Sequence, residues 1–169
     1  MGAVLGKARY IHMGKTSGDP FIDFESKAFI GGTMSGNSLS CSAGIATLRH
    51  LRAHPEIYDQ LERHTDHLCE QFRRITASHG ISFHITGVCS IFAMSFTYRH
   101  TEVFRDKLTG SNFKANLALA YYMRKHGVYM PELHTLMLCA AHTEADIDAV
   151  CDAFERSLIE MIDDGFFQL

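Results

Sequence analysis

No run of about eighteen apolar residues occurs anywhere in this chain, which excludes a membrane-spanning helix of ordinary length. No CxxC pair occurs among its five cysteines, Cys41, Cys69, Cys89, Cys139 and Cys151. Their odd number and wide spread argue against a zinc site and against a disulfide framework, and point to a reducing, cytoplasmic compartment. Positive charge is not in excess: the net charge is −3, so no basic field invites nucleic acid. The N-terminus lacks the long apolar core of a signal peptide, and Met1–Gly6 lacks the Ser or Thr of a myristoylation site. Internal repeats and low-complexity tracts are missing too. What is present is a chain of 169 residues, 46% apolar and 21% charged, a balance that favours a globular fold over disorder.

Periodicity divides the chain. Residues 1–30 have no clean repeat and carry Gly14, Gly18 and Pro20, so a short strand or turn and then a long loop are expected. The turn Gly31-Gly32-Thr33-Met34-Ser35-Gly36-Asn37 opens a helix with the stripe Leu39, Ile45, Leu48, Leu51 and the small neighbours Cys41, Ala43, Gly44, Ala46. Pro55 starts a second helix, with Ile57, Leu61, Leu68, Phe72 and Ile75 on one side and Gly80 as a left-handed stop. Ile81–Val88 and Ser90–Thr97 read as two strands around Gly87. After a variable loop over Tyr98–Ser111, Phe113, Leu117, Tyr121 and Arg124 line up on a helix closed by Gly127. Val128–Met130 and Leu136–Ala140 read as short strands. Thr143 with Asp146 forms a capping box for a last helix striped by Ile147, Val150, Cys151, Phe154, Leu158 and Ile162. The pattern predicts an α+β fold with a small antiparallel sheet covered by helices.

Three stretches, in order, carry a resemblance. Gly31–Cys41 with Ala43–Leu48 is similar to a "G-T-x-S/G-G-N-P-L…A-G-x-A-T-L" segment. Ser90–Phe96 is similar to a strand that begins a C-terminal small domain. Gly127-Val128-Tyr129-Met130-Pro131 with Ala141-His142-Thr143-Glu144-Ala145-Asp146-Ile147-Asp148 resembles "G-V-Y-x-P…A-H-T-x-x-D-I-D". Together they resemble the C-terminal part of the class-III, fold-type-I aminotransferases that use pyridoxal 5'-phosphate, in the pattern of the glutamate-1-semialdehyde 2,1-aminomutase branch. The resemblance implies a homodimer acting on a small amino-aldehyde or amino acid. Residues 1–80 would end the large cofactor domain and supply an interface loop and helices, and 81–169 would form the small domain. It also implies that the Schiff-base lysine lies upstream of Met1, because Gly2-Ala3 matches the end of the segment that follows that lysine. On that expectation the chain alone carries no catalytic residue and does not transaminate. The rival expectation is a non-catalytic truncated paralogue or a dimerisation module.

The resemblance also assigns a contact. Gly32 and Thr33 match the Gly-Thr that reaches the cofactor phosphate of the neighbouring subunit, and a hydroxyl among glycines at a helix start suits an anion. The residues alone leave a second role open, with Thr33 and Ser35 merely capping the helix. Lys7, Lys15 and Lys27 follow Gly2-Ala3 and are expected to be solvated and protonated. Eleven histidines include two helical pairs, His50/His54 and His64/His67, but no third ligand or HExxH form accompanies either, so surface histidines and no metal are expected. His142 is expected to position the last helix. The arginine that many class-III relatives carry near this point, where a planar fork would grip a carboxylate, is replaced by Cys139-Ala140-Ala141-His142-Thr143. Ser38 stands where the pattern has proline.

Overall fold

The computed structural model describes residues 5–28, 31–32, 34–97 and 110–167. The chain falls into two units, Met1–His54 and Pro55–Leu169.

The first unit is helical. The expected strand or turn and long loop before residue 30 are instead two short helices, α1 (Ala8–Ile11), continued by a 3-10 turn at His12–Gly14, and α2 (Pro20–Ser26). For α2 the cause is local polar chemistry that hydrophobic periodicity does not register. Asp19 caps α2 by accepting from the Phe21 and Ile22 amides, and Pro20 sits at the first helical position. Asp23 accepts from the Ser17 amide and hydroxyl, both at 2.7 Å, and from the Thr16 hydroxyl. These bonds hold its carboxyl well below the usual range, at about 2. Helix α3 (Ser38–Ala53) follows, capped by Asn37, whose side chain accepts from the Ser40 amide at 3.1 Å. None of the three helices contains a buried residue.

The second unit holds the core. Helix α4 (Glu56–Ser78) stops where Gly80 takes a φ of +68°, so that the Ile81 amide can reach the Thr76 carbonyl. Strands β1 (Phe83–Val88), β2 (Ile91–Phe96) and β3 (Leu136–Met137) form an antiparallel sheet in that order. Ile85 pairs with Met94, Gly87 with Phe92 and Val88 with Ile91, so Cys89 and Ser90 make a two-residue turn. Gly87 therefore lies within β1 and not between the strands. It is needed there because α4 comes close: a side-chain carbon at 87 would meet Thr65 Cγ2 at 3.0 Å. Of the expected short strands after Gly127, only Leu136–Met137 pairs, and residues 128–130 have no ladder partner among the described residues.

Helix α5 (Phe113–Lys125) packs on β2, and α6 (Glu144–Asp163) packs on α4 and α5. The face of α5 that turns inward is Ala115, Leu119, Ala120, Tyr122 and Met123. The expected line of Phe113, Leu117 and Tyr121 is exposed, because the helix is apolar on two sides and the small alanines allow the closer approach. The core centres on Phe72 stacked on Phe154 at 3.8 Å, with Phe83 and Phe96 tilted or offset against them. Asn116 closes the far end of β2, accepting from the Phe96 amide at 2.7 Å and donating to its carbonyl at 3.0 Å. The capping box at Thr143 and Asp146 forms as read from the sequence. The expected division at residues 80 and 81 falls between α4 and β1, which pack together in this unit.

Candidate functional site

The loop before α3 is built for close approach of a partner to backbone. Ser35 donates its amide to the Gly32 carbonyl at 2.9 Å and Asn37 to the Met34 carbonyl at 3.2 Å, which winds the loop into a turn. Gly36 takes a φ of +72°, a conformation that a side chain resists. At Gly32 an added carbon would meet Ser35 Oγ at 3.3 Å, so the missing side chain keeps the hydroxyl near the backbone. The amides of Gly36, Ser38 and Leu39 and the hydroxyl of Ser35 have no partner among the described residues. Gly32, Ser35, Gly36, Asn37, Ser40 and Cys41 line one open hollow around these donors. Donors without acceptors at the positive end of a 16-residue helix suit a phosphate. Gly32 lies in this loop; Thr33 is outside the described residues.

The remaining candidates are scattered. Lys7 and Lys15 are exposed and Lys27 is half-buried. The rings of His50 and His54 lie tilted to each other, 4.6 Å apart, at the C-terminal end of α3. His67 pairs with Asp148 at 3.5 Å. His64, expected on the surface, is only 8% exposed, and its Nδ1 is buried without a hydrogen bond. The helix turns it inward beside Thr65, where α4 covers the sheet. No cluster of three or more His, Cys, Asp or Glu able to hold a metal occurs among the described residues. His142 does position the start of α6: its Nδ1 accepts from the Cys139 amide at 3.0 Å, directly before the Thr143 cap.

One feature had no signal in the sequence. An apolar cavity of about 310 Å³ lies in the second unit, walled by Leu68, Phe72, Phe92, Met94, Leu136 and Val150. It forms because β3 has only two residues, leaving the segment after α5 to arch over the sheet. Its lining is mostly apolar, with Tyr129 and His142 as its titratable side chains. No described helix is long and apolar enough to cross a membrane.

No family model matches the chain. Individual proteins do. It is 32% identical over 133 residues to a glutamate-1-semialdehyde 2,1-aminomutase of Caldicellulosiruptor saccharolyticus, covering 78% of this chain and 31% of that protein. It is 30% identical over 167 residues to the enzyme of the same name from Desulfatibacillum aliphaticivorans, covering 95% of this chain and 38% of the relative. A solved structure described as a transaminase with PLP bound superposes with a TM-score of 0.73 at 20% identity, over 95% of this chain and 35% of that one. The chain thus spans about a third of the length of the relatives it matches.

Proposed function

We propose, for a chain homologous to the glutamate-1-semialdehyde 2,1-aminomutases along about a third of their length and folded like part of a pyridoxal-phosphate transaminase, that the parent protein transfers an amino group. The substrate on this reading is a small amino-aldehyde or amino acid, the cofactor is pyridoxal 5'-phosphate, the active form is a homodimer and the compartment is cytoplasmic. The observation that carries it is the match to an aminomutase over 95% of the chain, which takes in the glycine loop.

The loop supplies the phosphate contact. Gly32 and Thr33 would hold the phosphate bound to the neighbouring subunit, as the family's Gly-Thr does. Around them, the amides of Gly36, Ser38 and Leu39 and the Ser35 hydroxyl, which have no partner among the described residues, point to the same chemistry. Gly36 keeps the turn tight enough to present them, and Asn37 holds the first turn of α3 in place. When bound, pyridoxal phosphate supplies the electron sink that lets a proton leave the carbon bearing the amine. The lysine that would anchor it belongs, on this reading, to another part of the parent protein, and the residues of this chain alone do not transaminate. Residues 1–80 then complete the large domain and 81–169 form the small one, although the packing of α4 on β1 favours placing that boundary nearer Pro55. The exposed face of α3, with Leu39, Ile45 and Leu48, would lie against a second subunit or the rest of the large domain. The closed core of residues 55–167 favours a second reading, a separately folded interaction module.

Amide NMR of the chain titrated with pyridoxal phosphate, and separately with inorganic phosphate, tests the contact. Shifts confined to Gly32, Ser35, Gly36 and the first turn of α3, weakened in Thr33→Ala, are expected, with no adduct surviving dialysis. Unmoved loop amides would sink the phosphate role. A dialysis-resistant adduct on a single lysine of this chain would overturn the division of labour.

A further inference from the structure

The apolar hollow of the second unit has the size and lining of a ligand site. Its floor is Leu68, Phe72 and Phe92, each no more than 5% exposed, and its volume is about 310 Å³. Small-molecule sites run from about 300 to 1,000 Å³, so this one suits a single ring with a short substituent. Of the chain's eight methionines, Met94, Met123, Met130 and Met137 line it. Their thioethers fill irregular space, re-pack easily and meet aromatic rings favourably at the edge. No carboxylate, ammonium or guanidinium is among the lining groups, so an ion entering the hollow would lose water and find no counter-charge.

His142 supplies a polar handle of defined sense. Its Nδ1 accepts from the Cys139 amide at 3.0 Å. An uncharged imidazole that accepts through Nδ1 carries its proton on Nε2. That N–H has no acceptor among the described residues, so a lining side chain holds a donor in reserve. The rim, by contrast, is charged and faces water. Arg124 lies over the Tyr129 ring at 5.5 Å and pairs with Glu132, and Tyr129 is 79% exposed. A protein partner seated here would bury about 800 Å² of this side and strip water from that ion pair. A small molecule enters the hollow and leaves the pair hydrated.

We propose that this hollow binds a small, uncharged aromatic molecule with one hydrogen-bond acceptor, the class of an aryl ketone. The ring packs among Phe92 and the methionines, and the acceptor oxygen takes a hydrogen bond from His142 Nε2. The site shares no residue with the hollow at the glycine loop, which belongs to the other unit, and does not depend on the role given to that loop. Leu136, Met137 and Leu138 form one of its walls. That wall is held to β2 by two strand pairs and by the Leu138 amide, which donates to the Ser90 carbonyl at 2.8 Å. An occupant therefore ties the arch over residues 128–138 to α4 and the sheet.

The test is methionine-methyl NMR of the full chain titrated with acetophenone, and separately with ethylbenzene and with benzoate. Acetophenone should move the methyls of Met94, Met123, Met130 and Met137 and leave those of Met13, Met34 and Met161 in place. It should bind about 2–10-fold more tightly than ethylbenzene, the worth of one hydrogen bond, and benzoate should move none of them. His142→Asn keeps a side-chain acceptor for the Cys139 amide but removes the Nε2 donor, and should bring the ketone down to the hydrocarbon's affinity. Val150→Phe fills the hollow and should abolish the shifts; if it also moves the buried Met161 methyl, the fold has changed and His142→Asn decides alone. No shift up to the solubility of the ketone, shifts spread over all the methionines, equal binding of benzoate, or a preference that survives in His142→Asn would each overturn the proposal. Shifts of the same four methyls with chain concentration alone would assign the hollow to a second copy and overturn it as well.

Discussion

The two units of this chain use similar helical material to opposite ends. Residues 5–54 include a 16-residue capped helix and two shorter ones, yet no residue of α1, α2 or α3 is buried, and Phe24, Leu39 and Leu48 are 91%, 79% and 66% exposed. Residues 55–167 gather Phe72, Phe96, Phe154, Leu68 and Leu158 into one core, each at 1% exposure or less. The difference is not propensity. Caps, prolines and small residues specify helices in both, but a helix this short is marginal in water unless its apolar face is covered. The second unit covers its own helices with a sheet. The first carries apolar faces that belong against another surface, which is why the proposed dimer contact falls there.

The largest expected effect breaks the comparison if it is wrong. Phe154→Ala removes the ring stacked on Phe72 at 3.8 Å and should cost about 3–5 kcal/mol in urea unfolding. Leu48→Ala, on the exposed side of α3, should change the same transition by less than about 0.5 kcal/mol. Equal losses in the two variants would mean that residues 5–54 share a core that the exposure values do not reveal. A smaller effect sharpens the close contact of α4 with β1. Gly87→Ala places a methyl at 3.0 Å from Thr65 Cγ2 and 3.3 Å from Phe92 Cβ, with the Ile91 carbonyl at 3.4 Å. Thr65 is β-branched and buried and cannot swing away, so a loss of about 1–3 kcal/mol is expected in the same assay. A neutral substitution would show that α4 shifts freely over the sheet.

What the sequence revealed follows the same division. Where apolar periodicity coincided with a core, as along α4 and α6, stripe and burial agree: Leu68, Phe72, Ile147, Cys151, Phe154 and Leu158 are all inside. Where a helix is apolar on two sides, periodicity alone cannot say which side is inward, and in α5 the alanine side prevails. Helix α2 was not legible from periodicity because side-chain hydrogen bonds to Asp19 and Asp23 hold it, and these leave no hydrophobic trace. The glycine loop was legible from composition, since Gly36 has the positive φ that glycine permits. The apolar cavity and the burial of His64 were not, because both arise from how α4 and the arch after α5 lie over the sheet.

The smallest expected effect asks whether the first unit holds its local structure without a core at all. Asp23 accepts from Thr16, from the Ser17 amide and from the Ser17 hydroxyl, and these bonds lower its carboxyl from 3.8 to about 2. A carboxyl that titrates lower in the folded form than in the unfolded form contributes stability that is complete above pH 3.8 and is lost as the pH falls through about 2. Protonation removes the acceptor that clasps the turn to α2, so the helix should fray in that window while the second unit's sheet signals stay put. Carboxyl-carbon NMR of the chain reads this directly, and the Ser17 amide should titrate together with Asp23. Because the group is reached and screened by solvent, the loss should be local and should not shift the main unfolding transition. A midpoint near 3.8 would mean that the clasp does not form in solution, and that α2, like the apolar face of α3, waits for a partner before it orders.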